Sequence, residues 1–162
     1  MQNLELIRAF EKSVEAGDFS RLDAIFHADV VYHDFVYGDF RGHAALSEFF
    51  RKWSRDGRDY VWRFYDVMAD EHRAYASWYF SYTRLRGLPR ASRETGVRLE
   101  ILGMSRFAFR DNRISEYREV LNPATSLQAM GLSDALAARQ LRRHARRERA
   151  EIAAIKANPG LQ

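Results

Sequence analysis

An α+β fold, one curved antiparallel sheet packed with N-terminal helices and followed by an extra C-terminal helix, is predicted by three observations. Apolar residues in the first third of the chain recur at helical spacing. From Tyr60 to Leu121 apolar and polar residues alternate in runs broken by turn-forming residues, as half-buried strands do. Beyond Pro123 the chain becomes rich in Arg and Ala, with few large apolar side chains. Helices gathered ahead of a run of strands indicate an α+β domain rather than alternating βαβ units.

In chain order, Asn3 can cap a first helix whose Leu4, Ile7, Phe10 and Val14 fall close to helical period, and Gly17 can end it in the left-handed conformation. Phe19–His27 reads as a short second helix carrying Leu22, Ile25 and Phe26. Val30–Val36 is β-branched and aromatic and reads as a strand, with Gly38, Asp39 and Gly42 marking a loop. Leu46, Phe49, Phe50 and Trp53 stand at i, i+3, i+4 and i+7 of a third helix, which Asp56-Gly57 ends. Tyr60–Met68 and Arg73–Leu85 are strands around Ala69–His72, and Gly87-Leu88-Pro89 breaks the second of them. Val97–Phe109 and Ile114–Leu121 form a hairpin across Arg110-Asp111-Asn112-Arg113, and Pro123 ends the sheet. Ser133–Asn158 is a predicted helix, capped by Ser133 or Asp134 and stopped by Asn158-Pro159-Gly160. The organisation is then a domain over 1–131 and a basic helical extension over 132–162.

The 162 residues suit one core, and aromatics at 14% exceed what a generic core needs, so an aromatic-lined cavity is expected. With no cysteine, disulfides, zinc–thiolate sites and thiol nucleophiles are excluded. The N-terminal MQNLELIRAF lacks a signal-peptide pattern, and no apolar run approaches the ~18 residues that span a bilayer, so the expectation is a cytoplasmic protein with no membrane partner. The formal charge of +4 resides in the tail, where Arg139, Arg142, Arg143, Arg146, Arg147, Arg149 and Lys156 face Asp134, Glu148 and Glu151, leaving the body neutral. The tail could meet RNA, DNA or an acidic partner, but it has no aromatic platform for bases, and nucleic acid is not the expected partner.

Alternation sets Tyr32 and Asp34 on one face of an early strand, and Tyr117 and Glu119 on one face of the last. A carboxylate in an apolar pocket has its pKa raised and becomes a usable acid or base near neutrality. The plainer reading of either acid is a salt bridge to a nearby Arg. Trp78, Phe80 and Tyr82 share a strand face as core or as pocket wall, and His33 should point opposite to Tyr32 and Asp34. The five histidines show no metal-ligand spacing, and no phosphate loop or serine nucleophile elbow occurs, so no metal or cofactor is expected.

Several segments together resemble the SnoaL-like polyketide cyclase branch of the nuclear transport factor 2-like superfamily. They are EAGDFSRLDAIFHADVVYHD, the Arg41–Leu46 helix entry, Gly87-Leu88-Pro89 with Thr95-Gly96, the hairpin Phe107–Glu116, and Leu127–Gly131. The resemblance spans roughly residues 4–131 and rests on their order and spacing more than on any one motif. It implies a cone-shaped fold with Trp53 and Phe50 closing its base, a homodimer through the open sheet face, and a small apolar ligand or substrate, as in secondary metabolism. Asp34 stands where ketosteroid-isomerase-like members hold a proton-abstracting aspartate, and Glu119 where cyclases carry an aspartate one methylene shorter. Phe10 replaces the tyrosine that polarises a carbonyl in ketosteroid-isomerase-like members. Ala76–Phe80 lacks the Arg-x-Asp pair of epoxide-hydrolase-like ones, so epoxide opening is not the leading expectation. The implied function is cofactor-free acid/base cyclisation, isomerisation or dehydration (a lyase-type step) of a polyketide- or terpenoid-like substrate. Asp34 and Glu119 would transfer protons with Tyr32 and Tyr117 as partners, and Trp53, Trp78, Phe80, Tyr82 and Phe10 would line the substrate. The alternatives are a non-catalytic binding or assembly module of the same fold and, behind it, a nucleic-acid binder acting through the tail.

Overall fold

The computed structural model describes residues 2–85 and 95–158. The expected break at Gly87-Leu88-Pro89 and the Pro159-Gly160 helix stop lie outside the described residues. The chain divides into two compact units, Met1–Leu121 and Asn122–Gln162.

The first unit runs α1 (Gln2–Ala16), α2 (Leu22–Ile25), β1 (Phe26–Asp34), β2 (Gly38–Arg41), α3 (Gly42–Trp53), β3 (Gly57–Ala69), β4 (Arg73–Arg84), β5 (Val97–Arg110) and β6 (Arg113–Leu121). Its six strands form one sheet in the order β2-β1-β6-β5-β4-β3. The expected α+β architecture is therefore present. The sheet is mixed, however, and not antiparallel throughout, because β1 lies parallel to β6 with Tyr32 opposite Tyr117. The second unit holds α4 (Pro123–Ala129) and α5 (Asp134–Ala157).

Differences from the sequence reading have local causes. The second helix stops at Ile25 because Phe26 already pairs with Ile114 of β6, so a strand partner far along the chain claims it. Gly38–Arg41, expected as loop, pairs with β1 from Val31↔Arg41 to Asp34↔Gly38. Asn3 lies within α1, and its side-chain amide donates to the Asp70 carbonyl at 2.7 Å, a tertiary bond in place of a cap. α4 was not foreseen, although its signal is local: Asn122 Oδ1 accepts from Ala124 N and Thr125 N at 3.0 and 3.3 Å, with a proline in the first turn. The Asp111-Asn112 turn is as tight as expected, with φ of 50° and 54°. Two positive φ values of this kind mark the primed hairpin turn, which Asp and Asn tolerate better than most residues.

The core lies between α1, α3 and one face of the sheet. Phe10 is its centre, fully buried, with ring centroids of Phe26, Trp62 and Tyr117 at 5.1, 5.2 and 5.7 Å. Phe50 and Leu46 reach in from α3 with no more than 1% exposure, so the helical spacing read from the sequence is the buried face. Trp78 of β4 and Phe107 of β5 supply large buried rings from the sheet.

β3 ends the sheet, and α1 lies along it. Phe64 N donates to Glu11 Oε2 at 3.1 Å, while Arg8 Nη1 donates to the Phe64 carbonyl at 2.9 Å. Arg8 and Glu11 are themselves bonded at 2.8 Å, so two side chains one helical turn apart stand in for a missing strand neighbour. Arg63 adds a contact to Glu11 Oε1 at 3.2 Å. Glu11 is only 7% exposed, which makes it a buried acid whose loss strands the Phe64 amide. Glu11→Ala should lower unfolding free energy by about 2 kcal/mol; urea denaturation followed by fluorescence measures it, and an unchanged midpoint would refute the edge role.

Candidate active site

Register decides which side chains meet on the inner face. Trp78 of β4 is opposite Gly103 of β5, Ser105 of β5 is opposite Glu119 of β6, and Tyr117 of β6 is opposite both Phe107 and Tyr32. The β1–β6 register, carried on past His33↔Arg118, sets Asp34 beside Glu119. The two Tyr-plus-carboxylate pairs thus stand side by side, with Tyr32 and Tyr117 stacked at 4.5 Å.

A chain of hydrogen bonds crosses three strands here. Trp78 Nε1 donates to Ser105 Oγ at 2.8 Å, and Ser105 Oγ donates to the Tyr117 hydroxyl at 2.8 Å. On the same strand as Tyr117, Glu119 Oε1 accepts from Phe35 N at 2.6 Å. Burial, more than any other cause, pushes the Glu119 carboxyl well above the usual carboxylate range. The charge of Asp34 pushes it further, and the Phe35 amide and the Tyr117 hydroxyl partly oppose the rise. No arginine pairs with Glu119 among the described residues. Burial also drives both tyrosine hydroxyls well up, so they stay protonated donors.

Asp34 has a second task. Its Oδ1 accepts from Val36 N at 2.7 Å and Tyr37 N at 2.6 Å, forming the turn between β1 and β2. That turn points Tyr37 toward Phe49, 5.6 Å between ring centroids. Tyr37, Phe40, Phe49 and Trp53 then line a hollow of about 710 Å³, rimmed by Glu48, Lys52, Arg55 and Asp56.

The remaining candidates fall into different places. Phe10, Tyr32, Trp78 and Tyr117 are at most 2% exposed and packed into the core. Trp53 and Tyr82 are 9% and 8% exposed, and Phe80 is half-buried beside them at 5.7 Å from the Trp53 ring system. Tyr82 stacks on Tyr60 at 5.0 Å, and burial pushes its hydroxyl up to about 12. Asp34, Phe80 and Glu119 are half-buried, while the others are buried around them. His33 points to the other side as expected, pairing with Asp39 at 3.0 Å. Among the described residues no three His, Asp or Glu side chains gather as a metal would require.

Sequence reading missed Ser105, Gly103 and the Phe35 amide. Ser105 is an isolated hydroxyl in an alternating strand and carries no local signal. Gly103 did carry one, since a glycine inside a strand often marks a close approach. A Cβ built there would lie 2.3 Å from the Trp78 ring, so only glycine leaves room for the indole to reach Ser105.

The SnoaL-like domain profile matches residues 7–117. By sequence, no curated protein matches the chain. Among solved structures, a candidate polyketide cyclase from Pseudomonas putida KT2440 is 25% identical with a TM-score of 0.60, over 75% of this chain and 92% of that one. An LEH-like epoxide hydrolase from M. tuberculosis is 16% identical with a TM-score of 0.65, over 79% and 88%. A cystatin-like-fold protein from Xanthomonas campestris is 21% identical with a TM-score of 0.62, over 80% and 97%. The fold is thus the cystatin-like, nuclear transport factor 2-like one, shared with proteins of different chemistry.

Two outcomes follow from this geometry. Gly103→Ala should cost about 1–3 kcal/mol through overpacking and move the Trp78 indole N–H resonance as its bond to Ser105 breaks; an unmoved resonance would contradict the assigned contact. A raised carboxyl in the folded state means that the fold binds more protons than the unfolded chain between the two pKa values, so stability falls as pH rises above the ordinary carboxylate range. Glu119→Gln should remove that slope and stabilise the fold at pH 7 by on the order of 1 kcal/mol; thermal melts from pH 4 to 9 decide it, and parallel profiles for the two proteins would sink the assignment.

Proposed function

This chain belongs to the SnoaL-like domain family, and from that premise we propose that it is a cofactor-free enzyme moving protons on an apolar, polyketide- or terpenoid-like substrate in a cyclisation, isomerisation or dehydration. The observation that carries this reading is Glu119: a half-buried residue without a cationic partner among the described residues, its carboxyl raised in pKa by burial and held by Phe35 N. A carboxyl raised above its ordinary range is better matched to proton exchange at neutral pH than an unperturbed one. The neighbouring Asp34 adds to the rise that burial gives the Glu119 carboxyl. Tyr32 and Tyr117 keep their protons and, packed into the core, support the two strands that carry the acids. The half-buried Phe80 and the hollow beside Tyr37, Phe49 and Trp53 offer apolar surface for a ring system. A module that only bound a ligand or assembled would have its carboxylates neutralised by arginine, and Glu119 lacks that pairing among the described residues.

Proton exchange tests the reading before any natural substrate is identified. Polycyclic β-diketones incubated in D2O with the protein should exchange their activated C–H protons, followed by NMR. Glu119→Gln should slow this by about 100-fold or more. Asp34→Asn withdraws the charge that raises Glu119, so the pH profile of exchange should move to lower pH. Equal rates for both variants and the wild type, with the fold intact, would sink the proposal.

The same reading includes a homodimer on the outer sheet face, where Leu102, Val120 and Met104 are 65%, 62% and 54% exposed. Light scattering giving only the monomer mass would remove that part.

A further inference from the structure

We propose that the arginine face of α5 binds the phosphate backbone of double-stranded DNA without reading its sequence. Arg139, Arg142, Arg143 and Arg146 stand at i, i+3, i+4 and i+7, so they share one face of the helix. All four are exposed, and with Leu136 and Gln140 they line a hollow of about 610 Å³. The acids of α5 are kept off that face. Asp134 and Glu148 lie seven residues before and after Leu141 and share its side of the helix, as Ile152 and Ile155 do. Glu151, one turn beyond Glu148, also falls away from the arginines. A helix face with four guanidinium groups and no carboxylate is complementary to a polyanion.

The rest of the helix selects the polyanion. A helix resting on anionic lipid needs a bulky apolar face, commonly with aromatic residues. α5 has no aromatic residue, and its apolar side is Leu141, Ile152, Ile155 and alanines, broken by Glu148. An acidic protein surface is gripped around apolar anchors, and Leu136 is the one large apolar side chain lining the hollow. A duplex backbone asks only for cations. Guanidinium forks match phosphate oxygens, and the polymer presents one negative charge per about 1.7 Å of its axis. From Arg139 to Arg146 the helix rises about 10 Å, a length over which a duplex presents about six phosphates. Without aromatic residues α5 offers single-stranded bases no stacking platform. The major groove of B-form DNA, about 12 Å wide, admits a helix, whereas that of duplex RNA is too narrow. This binding does not involve Glu119 and stands or falls apart from the proposed chemistry.

The experiment is a salt titration of the full chain against fluorescein-labelled DNA duplexes of two unrelated sequences, read by anisotropy. Both should bind alike, with a slope of log K against log salt of about −3.6, as four phosphate contacts require. The variant Arg139→Gln/Arg142→Gln/Arg146→Gln replaces exposed side chains with another good helix former, so far-UV circular dichroism should be unchanged. It should bind about 100-fold more weakly at low salt, and its slope should flatten by about 0.9 for each arginine removed. The variant Arg21→Gln/Arg41→Gln/Arg73→Gln removes the same charge from exposed positions of the first unit and should bind as the wild type does. Equal losses in the two variants would reduce the effect to net charge and overturn the proposal, as would no binding by the wild type. So would a single strand bound as tightly as the duplex. Tighter binding to phosphatidylserine vesicles or to a polyglutamate peptide than to the duplex, at equal salt, would assign the face to a membrane or to an acidic protein instead.

Discussion

The inner face of this sheet is organised around one constraint: a carboxyl group kept among aromatic rings with no arginine or lysine beside it among the described residues. Desolvation of a charge is expensive, and proteins ordinarily meet the cost with a counter-ion. Here the partner is a neutral donor, the Phe35 amide, so Glu119 is held in place without an ion pair and its pKa rises. An ion pair would have held the acid just as firmly and left it chemically inert. The turn after β1 supplies the amide that this carboxyl accepts from.

The parallel pairing of β1 with β6 is the topological step that makes it possible. An antiparallel meander would set sequential strands side by side and leave Asp34 far from Glu119. Inserting β6 between β1 and β5 puts one carboxylate on each of two adjacent strands and stacks the preceding tyrosines. The same step fixes the β1–β2 turn, since the residue after Asp34 supplies the amide that Glu119 accepts. Two acids thereby share one neighbourhood with divided tasks. Asp34 accepts from the amides of the β1–β2 turn, and Glu119 accepts from the Phe35 amide.

Much of this was legible in the chain. Helical spacing at Leu46, Phe49, Phe50 and Trp53 and alternation at Tyr32/Asp34 and Tyr117/Glu119 placed those residues on the faces they occupy, because periodicity is a direct consequence of backbone geometry. What escaped was whatever depends on a partner distant in sequence. Phe26 fits a helix as well as a strand until Ile114 pairs with it. Gly38–Arg41 looks like loop until β1 lies beside it. Ser105 could not be singled out, since a hydroxyl gains meaning only when an indole and a phenol converge on it from other strands.

The helix-to-edge lock at Phe64 has a consequence for how the protein behaves in a crowded solution. A sheet invites strand addition at either end, and this one closes both routes by different means. On the β2 side the terminal strand is only 4 residues long. On the β3 side a 13-residue strand would be a long template for amyloid-like growth. Arg8 and Glu11 occupy hydrogen-bonding groups at its middle, and the bulge at Asp66, with φ of 50°, breaks its regularity further on. A nascent chain meets this safeguard in a favourable order, since the guarding helix is made before the strand it protects.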